Sequence, residues 1–144
     1  MTKTQASINL PLNKKAMKLK SVLIIDDEEI DLFICKRVLS MNDFAENVYT
    51  ETSVRSALHF LKSTTQIPEL ILVDFKMDDM NGEDFLNEFQ KFPKQITENC
   101  KVVLLTAYLN KYEDKVKQIK LHKHSSGLLE KPLNIGELVE LISQ

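Results

Sequence analysis

Val22-Leu23-Ile24-Ile25-Asp26-Asp27-Glu28-Glu29 runs directly from four aliphatic residues into four acids. An apolar run without polar alternation suits a strand covered on both faces, as in a parallel sheet. Its abrupt end places carboxylates at the strand's C-terminal edge. The same form recurs at Leu70-Ile71-Leu72-Val73, which ends in Asp74, and at Val102-Val103-Leu104-Leu105, which ends in Thr106. Gly127-Leu128-Leu129 is a shorter version that runs through Glu130 into Lys131-Pro132. Asn47-Val48-Tyr49-Thr50 is a weaker one, followed by Glu51 and Thr52.

Helical periods lie between these runs. Val54, Ala57, Leu58 and Leu61 follow the i, i+3, i+4, i+7 spacing, with Ser53 placed to cap the start. Ile135, Leu138, Val139 and Ile142 repeat it near the C-terminus. Ile30, Ile34 and Val38 mark a helix after the first strand, and Tyr112, Val116 and Ile119 one after the fourth. Phe85, Phe89 and Phe92 form an aromatic stripe suited to core packing. Five strands alternating with five helices predict an α/β fold: an open five-stranded parallel sheet with helices on both faces. In such folds the site lies beyond the carboxyl ends of the strands.

Composition fits this reading. The chain has 144 residues, 43% of them apolar, enough for one domain with one core. Nineteen basic and 21 acidic residues exclude a chain dominated by nucleic-acid-binding charge. Residues 1–20 carry five lysines and no acid, so removing them from the net charge of −2 leaves −7 on residues 21–144. They read as a flexible basic leader. Cys35 and Cys100 form no paired ligand motif and read as reduced, buried thiols of a cytoplasmic protein. No apolar run approaches the length of a membrane span, so no membrane insertion is expected.

The strand ends collect an acidic pair (Asp26, Asp27), a lone carboxylate (Asp74), a hydroxyl (Thr106) and a lysine (Lys131) on one rim. Clustered carboxylates stay ionised only if a cation neutralises them. Oxygen-only ligands suit Mg²⁺ (or Mn²⁺), and no Cys or His joins them to suggest zinc. Asp74 is placed as a nucleophile towards phosphorus, with Lys131 and a metal meeting charge on the transferred group. His122-Lys123-His124 lacks the spacing and the third ligand of a metal site. Lys111, Lys115, Lys117, Lys120 and Lys123 read as a solvated face or a partner surface.

Ile24-Ile25-Asp26-Asp27-Glu28, Leu72-Val73-Asp74-Phe75-Lys76-Met77-Asp78-Asp79-Met80-Asn81-Gly82, Leu105-Thr106-Ala107 and Lys131-Pro132 together resemble a response-regulator receiver domain. The resemblance covers residues 21–144. It implies a flavodoxin-like sheet ordered 2-1-3-4-5, with Asp74 as phospho-acceptor. Asp26, Asp27, Asp74 and the backbone carbonyl of Lys76 would bind the metal, Asp26 through water. Thr106 and Lys131 would contact the phosphoryl group, and the Lys131–Pro132 bond would be cis. Lys76 and Tyr108 occupy positions that modulate phosphoryl lifetime in the family, and a cation and a bulky ring there imply slow self-hydrolysis.

Two positions depart from the family pattern. Asp78 stands where proline is usual, four residues after the acceptor. Leu128 stands at the switch position, where an aromatic is common; a shift of the loop after Thr106 remains available. The resemblance implies phosphoryl transfer from a histidine kinase or histidine phosphotransfer protein, and output to an unidentified downstream protein or by relay, without direct nucleic-acid contact. With about 20 residues before it and its last helix ending at Gln144, the chain is expected to be a single-domain response regulator and not a metabolic enzyme. The alternatives are a Mg²⁺-dependent phosphohydrolase of the haloacid dehalogenase kind, whose motifs come in a different order, and a receiver that binds partners without being phosphorylated.

Overall fold

In the computed structural model, which describes residues 18–107, 113–120 and 122–144, the apolar runs become five strands. These are β1 (Leu19–Ile25), β2 (Ala45–Glu51), β3 (Leu70–Asp74), β4 (Lys101–Thr106) and β5 (Gly127–Glu130). They form one sheet in the order β2-β1-β3-β4-β5, every neighbouring pair parallel. Among the described residues there are six helices: α1 (Glu29–Met41), α2 (Val54–Ser63), α3 (Gly82–Phe89), α4 (Lys94–Thr97), α5 (Glu113–Lys120) and α6 (Ile135–Ile142). This is the five-strand flavodoxin-like order expected, with one helix more. The addition, α4, is a single turn behind Pro93, too short to carry a period.

Side-chain alternation divides the core into two layers around the sheet. Leu23, Ile25, Ile71, Val73, Val102 and Leu104 face α2, α3 and α5, where they meet Ala57, Leu61, Phe85, Phe89 and Ile119. Val22, Ile24, Leu70, Leu72, Val103 and Leu105 face α1 and α6, meeting Cys35, Leu39, Leu138 and Ile142. All twelve strand residues are at most 3% exposed, which explains their unbroken apolar sequence. Both thiols are buried, which pushes their pKa values up to about 12 and keeps them protonated.

Helix starts follow local chemistry. The Ser53 hydroxyl accepts from Ser56 N–H at 3.0 Å, as its position predicts. Asn81 and Asp84 form a reciprocal capping box on α3. The face of α1 differs from expectation. Its buried side chains are Cys35 and Leu39, whereas Ile30 is 73% exposed and Ile34 41%. The aromatic stripe also outlasts its helix: α3 ends at Phe89, yet the Phe92 ring lies 5.9 Å from that of Phe89. Strand β1 begins at Leu19, so Leu19 and Lys20 of the expected leader are strand residues; residues 1–17 and Tyr112 lie outside the described residues. Among the described residues, no helix is long and apolar enough to cross a membrane.

Gly127 opens β5 with φ at +147°, and a Cβ there would lie 2.7 Å from Leu141 Cδ1. Gly127→Ala therefore adds backbone strain to a steric conflict with α6. It should lower stability by about 1–3 kcal/mol, read as an earlier urea midpoint with an unchanged slope.

Candidate functional site

Because all five strands are parallel, their carboxyl ends meet on one edge. Ile25 is in register with Val73, Asp74 with Leu105, and Thr106 with Glu130. The residues following β1 and β5 are thus held beside the ends of β3 and β4. The ladder continues past the strands: Asp26 N–H donates to Glu51 O (3.1 Å), Phe75 N–H to Leu105 O (2.7 Å) and Lys131 N–H to Thr106 O (2.8 Å). Each functional side chain therefore hangs from a fixed backbone. The Lys131–Pro132 peptide bond is cis.

Helix α3 closes the edge from one side. Gly82 N–H donates to Phe75 O at 2.9 Å, and a Cβ on Gly82 would come within 3.1 Å of Asp74 O and Phe75 Cα. Any side chain here would push α3 away from the β3 backbone by a few tenths of an ångström.

Asp26, Asp27 and Asp74 each offer a carboxylate oxygen within 4.8 Å of the others. Asp26 and Asp74 are buried and Asp27 is half-buried. The Lys131 ammonium lies 2.8 Å from Asp26 Oδ2, 2.9 Å from Asp31 Oδ2 and 3.1 Å from Asp74 Oδ1. Asp26 Oδ1 also accepts Glu28 N–H at 2.9 Å. Asp27 Oδ2 accepts Asp78 N–H at 3.2 Å, a bond that proline at position 78 could not donate. The residue that departs from the family pattern thus contributes its backbone amide to an acidic ligand.

Burial raises the Asp74 pKa to about 6; the charge on Asp26 pushes the same way, and Lys131 opposes it. For Lys131, burial disfavours the ammonium, but hydrogen bonds to Asp26 and Asp31 and the charge of Asp74 outweigh it and hold the pKa above its usual value. One ammonium cannot neutralise this many carboxylates. The remaining negative charge, the oxygen-only donor set and the close oxygens suit a hard divalent cation. Among the described residues, no other cluster of His, Cys, Asp and Glu has such geometry. His122 Nδ1 already accepts His124 N–H at 3.2 Å.

A cavity of about 310 Å³ opens over the carboxylates, lined by Glu28, Asp31, Asp74, Lys76, Thr106, Ala107 and Lys131. The structure thus gathers Asp26, Asp27, Asp74, Lys76, Thr106 and Lys131 at one place. Leu128 is separate, packed in the core layer facing α2 and α3. Tyr108 lies outside the described residues. Sequence reasoning overlooked Asp31. Its signal was its place in the first turn of a helix entered directly from the acidic strand end.

The response regulator receiver domain model matches residues 22–143. The response regulator protein VraR of Staphylococcus epidermidis is 37% identical over 97 residues, covering 65% of this chain and 41% of that protein. The chain therefore spans well under half the length of that relative. Two solved structures are similar throughout. A response regulator receiver protein from Dyadobacter fermentans is 27% identical with a TM-score of 0.78, covering 86% of this chain and 95% of the other. A two component response regulator from Cytophaga hutchinsonii is 25% identical with a TM-score of 0.79, covering 88% and 96%.

The elevated Asp74 pKa has a consequence for stability. The folded protein takes up this proton at higher pH than the unfolded chain, so stability falls as pH rises from about 4 through 6. In metal-free buffer, Asp74→Asn should stabilise the fold by about 1–3 kcal/mol at about pH 7.5, with the gain vanishing towards about pH 4. Urea unfolding across that range measures it; a gain independent of pH would contradict the assignment.

Proposed function

Because the chain belongs to the response regulator receiver domain family, we propose that Asp74 accepts a phosphoryl group from a phosphohistidine in an Mg²⁺- or Mn²⁺-dependent reaction. The observation that carries this is the Asp74 carboxylate, buried among Asp26, Asp27 and Lys131 but bordering an open cavity. The donor is a histidine kinase or a histidine phosphotransfer protein. The unit is cytoplasmic, and it signals through protein contacts with a downstream partner or by relaying the phosphoryl group.

An Asp74 oxygen attacks phosphorus in line with the leaving nitrogen. The P–O bond forms as the P–N bond breaks, and its electron pair returns to the donor imidazole. Lys131 and the Thr106 hydroxyl meet charge on the phosphoryl oxygens. Asp26, Asp27, Asp74 and the Lys76 carbonyl would hold the divalent cation, which when bound neutralises the carboxylates and the incoming oxygens. Lys76 is exposed and lines the cavity, where its side chain would hinder attacking water. Turnover on its own aspartate makes the chain a self-phosphorylating switch, not a metabolic enzyme. The buried, non-aromatic Leu128 leaves the output to Thr106 and the segment after it.

The first turn of α1 borders this cavity through Asp31. Among the described residues, the exposed large apolar side chains are Ile30, Phe33, Ile34 and Met41, all on that helix. Such a face beside the acceptor suits a helical phosphohistidine protein.

Two phosphate donors test the reading. With acetyl phosphate and Mg²⁺, intact mass should show one added phosphoryl group that disappears without Mg²⁺ and in Asp74→Ala. Phe33→Asp should leave that reaction unchanged but slow transfer from a phosphohistidine protein by about tenfold or more. No adduct where a control receiver is labelled would favour a binding-only domain, and rapid turnover without accumulation would favour a hydrolase.

A further inference from the structure

Lys131 has one carboxylate partner more than the metal cluster accounts for. Asp26 and Asp74 belong to the group that can share a cation, whereas Asp31 does not. Yet Asp31 Oδ2 lies 2.9 Å from Lys131 Nζ, between Asp26 at 2.8 Å and Asp74 at 3.1 Å. Asp31 belongs to α1, whereas the other two belong to strand ends, so this bond ties the rim of the sheet to a helix.

A divalent cation held by the Asp26, Asp27 and Asp74 group competes with the same ammonium for the charge of Asp26 and Asp74. Two cations sharing these oxygens repel each other, and only the metal can use all three carboxylates of the group. The ammonium is too buried to be left unpaired at little cost. Asp31 is already within hydrogen-bond distance and lies outside the metal group. A second cavity of about 250 Å³ lies beside the ammonium, with Asp26, Asp31, Ile34, Cys35 and Lys131 in its lining, and gives the lysine room between Asp26 and α1. Lys131 borders both cavities and can lean towards α1 without overpacking.

We propose that Asp31 is a positioning residue that takes the Lys131 ammonium when a divalent cation claims Asp26 and Asp74. It thereby raises metal affinity and holds the lysine ready for a phosphoryl oxygen. This rests on the metal-dependent reading above. It also links metal binding at the sheet edge to the first turn of α1, where Ile30 precedes Asp31 and Ile34 lies one turn on.

A double-mutant cycle on Mg²⁺ affinity separates this role from that of a distant charge. Titration calorimetry with MgCl₂ would compare the unaltered chain, Asp31→Asn, Lys131→Met and the double variant, with circular dichroism confirming that each is folded. Asp31→Asn should weaken binding at least about threefold when Lys131 is present and have little effect in the Lys131→Met background. Asp31→Glu should restore most of the affinity, and Lys131→Gln should replace Lys131→Met if the latter does not fold. Equal weakening in both backgrounds would show that Asp31 acts only through its charge and would overturn the proposal. No weakening in either background would do the same. Absence of saturable Mg²⁺ binding by the unaltered chain would overturn the metal-dependent reading as well.

Discussion

A single ammonium group holds together the acidic edge of this protein. Lys131 Nζ lies within 3.1 Å of carboxylates from the end of β1, the end of β3 and the first turn of α1. Without it, Asp26 and Asp74 would be like charges buried side by side, a costly arrangement at neutral pH. With it alone, charge neutrality is still not reached, and Asp74 stays hard to ionise, with a pKa of about 6. This shortfall is what makes the site receptive to a divalent cation. A fully neutralised cluster would be more stable and less useful, because nothing would draw to it the cation that an anionic phosphoryl group requires.

The sheet supplies the precision this arrangement needs. Main-chain hydrogen bonds carry on beyond β1, β3 and β5, fixing Asp26, Phe75 and Lys131 against neighbouring strands. Gly82 lets α3 close on the backbone of Asp74 and Phe75. The apolar layers on both faces bury the central strands and keep this frame stiff. The Asp78 amide ties the β3–α3 loop to Asp27, and the Asp31 carboxylate ties α1 to Lys131.

Much of this could be read from sequence, for a physical reason. Strands buried on both faces have no polar alternation, so Val22–Ile25, Leu70–Val73 and Val102–Leu105 stand out, and in a parallel sheet the residue ending each run must lie on one edge. Asp26, Asp27, Asp74 and Thr106 followed from that alone, and Lys131 from the shorter Gly127-Leu128-Leu129 run before it. What was missed depends on rotation and on backbone atoms. Periodicity finds that α1 is a helix, but Ile30, Ile34 and Val38 fit a stripe as well as Cys35 and Leu39 do; which face turns inward is settled by packing on the sheet. Asp31 was hidden because its role depends on a partner 100 positions away in sequence. Asp78 read as an added charge, whereas its contribution to the site is its N–H.

The most direct test is a crystal structure of the chain with Mg²⁺ and beryllium fluoride, a stable mimic of a phosphoryl group on a carboxylate. The account predicts beryllium bonded to an Asp74 oxygen, Mg²⁺ held by Asp27 and Asp74 with Asp26 beside it, and Lys131 Nζ against a fluorine. Beryllium fluoride bound elsewhere, or an acidic edge that keeps its present ion pairs and takes up no metal, would contradict it.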